Sequence, residues 1–132
     1  MWLSRGEGIL NNIGEIHRQL EQYEEALIYY ENALVMSKDL NNFGNMAGIL
    51  INMGHIYRCL NQNIKTLNIY KDSLTYCRKI DDKIKIGEVL NCLGEAYEKL
   101  QKEHVALQYY RNVAKSPRFQ SWDEGGSRFV SK

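Results

Sequence analysis

Proline is almost missing from this 132-residue chain, with one at position 117, so nothing before that point forbids continuous helix. Cysteine is scarce too. Cys59, Cys77 and Cys92 are odd in number and lack the paired spacing of a zinc site, which reads as reduced structural thiols. No apolar run approaches the roughly 20 residues of a membrane span. The stretch Met1 to Gly8 has neither the basic start nor the apolar core of a signal peptide, and the expected compartment is the cytoplasm. A basic excess is absent as well: 17 Lys and Arg stand against 16 Asp and Glu, which disfavours a nucleic-acid binder.

The chemistry-bearing patterns are equally thin. The three histidines, His17, His55 and His104, are single and widely spaced, and none has a nucleophile or base partner readable from the spacing. There is no glycine-rich phosphate loop and no His, Cys and carboxylate cluster at metal-ligand spacing. The expectation is therefore a non-enzymatic chain with no cofactor and no metal.

What is present is a repeat. Leu10 to Leu20 reads LNNIGEIHRQL, and it returns as LINMGHIYRCL from Leu50 and LNCLGEAYEKL from Leu90, with Gly14, Gly54 and Gly94 spaced by 40 residues. A constant period of this size signals stacked hairpins rather than a single globular core. Within each unit the apolar residues recur at three and four, as in Ile9, Leu10, Ile13, Ile16 and Leu20, and then Ala26, Leu27, Tyr30, Ala33 and Leu34. Helices are expected at about 8–20 and 23–40, 43–60 and 63–79, and 83–100 and 103–115. Breaks fall at Glu21 and Gln22, at Asn41, Asn42 and Gly44, and at Asp81 and Asp82. Within the repeat the small Gly14, Gly54 and Gly94 are expected to face the small Ala26, Thr66 and Ala106, with Tyr30, Tyr70 and Tyr110 filling the space beside each crossing.

Charge is uneven along the chain. Residues 1–40 carry three Lys and Arg against seven Asp and Glu, and residues 41–80 five against one. Such a gradient can orient a charged partner; solvated helix faces that differ by chance give the same numbers.

The offsets Leu10, Ile13, Gly14, His17, Ala26, Tyr30 and Ala33, echoed 40 and 80 residues later, resemble the tetratricopeptide repeat over about residues 8–116. The period is longer than the ~34 residues of the commonest form, and is similar to the long-helix versions in kinesin light chains, Pins/LGN polarity adaptors and Rap-type regulators. The resemblance implies an all-α, right-handed α-solenoid of three helical hairpins within residues 1–116, with repeats at about 8–42, 43–82 and 83–116 and a flexible tail at 117–132. Thr66, Ser73 and Val113 stand at normally alanine-like positions, so the second hairpin is expected to be looser.

The resemblance also implies a concave groove lined by the first helix of each repeat. On that basis the groove comprises Asn11, Asn12, Glu15, Arg18 and Gln19, then Ile51, Asn52, His55, Arg58 and Cys59, then Asn91, Glu95, Glu98 and Lys99. Asparagine amides both donate and accept, so a column of them can pair with the backbone of an extended peptide. Arg18 and Arg58 could fork onto a carboxylate or phosphate. The Lys, Asn and Arg carboxylate clamp of chaperone-binding members is not reproduced, because Glu15, Glu95 and Glu98 share the groove, which points to a ligand of basic or mixed character. The expected function is a protein-interaction adaptor that holds a peptide. The alternative is a self-assembly module joined through its terminal repeats, and RNA binding is a third reading weakened by the charge.

Overall fold

The computed structural model describes residues 2–115, with side chains described from residue 6. Six helices follow one another: α1 (Trp2–Gln19), α2 (Tyr23–Asp39), α3 (Phe43–Cys59), α4 (Asn63–Lys79), α5 (Lys83–Lys99) and α6 (Glu103–Val113). Each helix packs against its sequence neighbour, and α1 also touches α3. The result is a stack of three hairpins. The expected tail, including Phe119 and Trp122, lies outside the described residues. Gly44 is not part of a turn as the sequence suggested; it sits in the first turn of α3.

All five links are built alike. Glu21, Asn41, Asn61, Asp81 and Gln101 hold φ between 53° and 60°. In each link that residue's N–H reaches back to the carbonyl three residues earlier, and the next residue's N–H to the carbonyl five earlier, as in Glu21 to Arg18 and Gln22 to His17. This pair of hydrogen bonds closes the helix end around a left-handed residue. The following residue is also the N-cap of the next helix. At the two links between hairpins it is Asn42 or Asp82, whose side chain accepts from the N–H of Asn45 or Lys85 at 3.2 and 3.1 Å. Within the hairpins Gln22, Gln62 and Lys102 provide no such cap. Sequence period 40 is thus a structural period of 20.

A left-handed conformation is strained for any residue with a Cβ. Gln101→Gly should therefore stabilise the chain by about 0.5–1 kcal/mol, read as a higher urea midpoint with unchanged slope. A fall in the midpoint would mean the link is not under strain.

The core runs continuously between hairpins. Ala26, Tyr30 and Ala33 of α2 meet Ile49, Met53 and Ile56 of α3, and Leu67, Tyr70 and Leu74 of α4 meet Val89, Leu93 and Ala96 of α5. The glycines face more than the small residues expected of them. A Cβ on Gly14, Gly54 or Gly94 would collide with the ring of Tyr30, Tyr70 or Tyr110, so each tyrosine lies across the glycine instead of beside the crossing. The second hairpin is not loosened by its polar substitutions. Thr66 and Ser73 are as buried as their alanine counterparts. The Thr66 hydroxyl donates to the Gln62 carbonyl at 2.9 Å and the Ser73 hydroxyl to the Ala47 carbonyl at 2.8 Å, the latter tying α4 to α3.

Candidate functional site

The first helices of the hairpins, α1, α3 and α5, lie side by side and together line a cleft of about 300 Å3. Its walls include Asn11, Ile51 and Asn52 from the expected groove, and also Glu7, Gly8, Gly44, Asn45, Gly48, Lys85 and Glu88. The sequence reading missed these seven because it started each groove at the glycine motif. Gly8 and Gly48 share a register 40 residues apart, and that signal could have exposed the cleft. Glu7 is buried and held by two donors: the Ser37 hydroxyl at 2.5 Å and the Asn42 amide at 3.0 Å. One asparagine thereby caps α3 and anchors a carboxylate of α1.

Below the cleft the expected groove residues are organised by the core tyrosines. Each tyrosine crosses a glycine and delivers its hydroxyl to the first helix. Tyr30 donates to Glu15 at 2.9 Å, Tyr70 lies 2.7 Å from His55 Nδ1, and Tyr110 donates to Glu98 at 2.8 Å. In the first two hairpins the partner is the residue after the glycine; in the third it is one turn further on. Burial, followed by the Glu98 bond, pushes the Tyr110 phenol up to about 12. For Tyr30 and Tyr70 burial leads the rise as well. The packing of the core therefore sets the side-chain geometry of the groove.

Several groove groups are less available than the sequence suggested. The Arg18 guanidinium is engaged by Glu15 one turn away on its own helix, so it is not an open fork. That bond is the leading reason the Glu15 carboxyl titrates below, and the Arg18 guanidinium above, its ordinary value. Arg58 reaches across to Glu95 at 3.7 Å, joining α3 to α5. The asparagines do not form one free column either. Asn52 donates to Asn11 at 3.4 Å, Asn91 donates to Glu95 at 3.4 Å, and Asn12 is exposed on its own. Lys99 donates to Asn61 at 3.1 Å. Gln19, Glu98 and the Cys59 thiol are exposed, while His55 is half-buried. His17 is half-buried and stacks on Tyr29 at 5.3 Å between ring centroids, with Nδ1 2.7 Å from Gln22.

Residues 8–40 match the family model of the tetratricopeptide repeat. That stretch, the first hairpin with its link, is similar in sequence to a tetratricopeptide repeat. No curated protein matches it in sequence. Among solved structures it is similar to the N-terminal domain of stress-induced protein-1 (STI-1) from C. elegans, with a TM-score of 0.75 at 12% identity over 93% of this chain and 95% of that one. It is also similar to BtubC (BKLC) from P. vanneervenii, with a TM-score of 0.79 at 20% identity over 90% of this chain and 48% of that one, so it spans about half the length of BtubC. What the chain shares with these structures is the fold, an α-solenoid of stacked helical hairpins. Among the described residues no group of three or more His, Cys, Asp or Glu could hold a metal, and no helix is long and apolar enough to cross a membrane.

Proposed function

We propose that the tetratricopeptide array is a cytoplasmic, non-enzymatic adaptor that holds an extended peptide against α1, α3 and α5. The observation that carries this reading is the cleft shared by the three helices, floored by Gly8 and Gly48 and edged by Asn11, Asn45 and Asn52. Glycines let a ligand backbone approach the helices, and amides can pair with that backbone in either sense. Charge in the groove is mixed and largely internally paired, through Glu15 with Arg18 and Arg58 with Glu95. A ligand of mixed or basic character suits Glu95 and Glu98 at the exposed end better than an acidic one does.

The test starts from a peptide selected on the full chain from a random displayed library. Asn11→Ala combined with Asn52→Ala should weaken that peptide more than tenfold, while helical signal and melting temperature stay nearly unchanged. Equal binding by the double variant overturns the groove reading.

A further inference from the structure

The two outer faces of the described stack are halves of a joint that the chain already builds twice. In register, Ile9 corresponds to Ile49 and Val89, and Ile16 to Ile56 and Ala96. The inner copies are covered, at 2% and 0% exposure for Ile49 and Val89 and 0% and 4% for Ile56 and Ala96. Ile9 and Ile16 are 57% and 55% exposed. The cover in each inner case is the second helix of the preceding hairpin. Leu27 and Leu34 of α2 join the cluster holding Ile49 and Ile56, and Leu67 and Leu74 of α4 the one holding Val89 and Ala96.

The third helix of this type is α6. Leu107 stands at the register of Leu27 and Leu67, yet it is 45% exposed where Leu67 is 6%. Tyr110 is likewise half-buried, whereas Tyr30 and Tyr70 are fully covered. Among the described residues, α1 thus presents the accepting face and α6 the inserting face, at opposite ends of the stack.

We propose that these arrays associate head to tail, α6 of one copy docking on α1 of a second copy in the geometry of the α2–α3 and α4–α5 joints. The contact is heterologous, so each addition regenerates a free face and growth continues along the solenoid axis instead of closing as a pair. The joint lacks one tie that the joint between the second and third hairpins has. Glu98 occupies the register of Arg58, so the tie that Arg58 makes to Glu95 between the second and third hairpins has no equivalent opposite Glu15.

Sedimentation velocity on the full chain tests this directly. The weight-average mass should rise steadily with concentration beyond that of a dimer. Ile16→Glu and Leu107→Glu each change an exposed residue, so the fold should be retained, as unchanged circular dichroism would verify. Each variant alone should stay monomeric, because each has lost one half of the joint. Mixed in equal amounts they should form a one-to-one dimer and nothing larger, since each supplies the face the other lacks. A wild-type chain that is monomeric throughout overturns the proposal. So does Leu107→Glu that still dimerises, which would indicate a two-fold contact of α1 with α1, and so does a mixture that stays monomeric.

Discussion

Gly54→Ala should destabilise the chain by about 1–3 kcal/mol, although alanine is the better helix former by about 1 kcal/mol. The added Cβ would stand 2.6 Å from Tyr70 Cδ1 and closer still to Cε1. The ring has nowhere to go. Tyr70 is fully buried, and its hydroxyl is held at His55, so relief requires parting α3 from α4 or expelling the tyrosine. Gly8→Ala is the control, because a Cβ there meets nothing within 4 Å; it should raise stability by about the propensity difference alone. Gly94→Ala should fall between the two, because Tyr110 lies on the outer hairpin and is only half-buried. Denaturant melts of the three variants decide the matter. Equal gains for Gly8→Ala and Gly54→Ala would mean the glycine–tyrosine contact does not limit the packing.

That contact also marks how far the sequence could be read. Helix positions were legible, because the apolar spacing and the polar links repeat on a fixed period and each link is closed by local backbone bonds. Which residues face each other across a hairpin was only half legible. A small residue at Gly54 signals close approach but does not say whether another backbone or an aromatic ring fills the space. The groove was less legible still. Helical numbering assigns Arg18 and Arg58 to the side of their helices opposite the core, but it cannot show that Glu15 and Glu95 engage them, since those pairings depend on rotamers and on the neighbouring hairpin. The cleft around Gly8, Gly48 and Lys85 forms where three helices spaced by 40 residues come together, and its one trace in the sequence is the shared register of Gly8 and Gly48. The same limit applies to Ile9 and Ile16. Their spacing reads as core, and only the structure shows that, unlike Ile49 and Ile56, they have no cover among the described residues.

Acid should weaken the array before its carboxylates begin to protonate, and His55 is the reason. Burial holds its imidazole down to about 4, and the nearby Arg58 and Arg18 cations act in the same direction against the smaller opposing pull of Glu15. An ordinary histidine titrates near 6.5. Because the folded value is the lower one, the unfolded chain binds the proton more readily. The contribution is therefore complete above about pH 6.5 and is lost as pH falls from there toward 4. Glu15 has the same sign but a different window, since its depressed carboxyl gives up stability only below the ordinary carboxylate range. A comparison of pH 7 with pH 5 isolates the histidine. Allowing for partial solvent screening, the wild-type chain should lose on the order of 1–2 kcal/mol over that interval. His55→Gln should lose little, because the glutamine carbonyl can still accept from the Tyr70 hydroxyl but does not titrate. Equal losses in the two chains would place the acid-sensitive group elsewhere. A wild-type chain indifferent to that interval would mean that His55 takes up its proton without leaving Tyr70, and that the crossing of α3 and α4 opens more readily than the burial of its tyrosine implies.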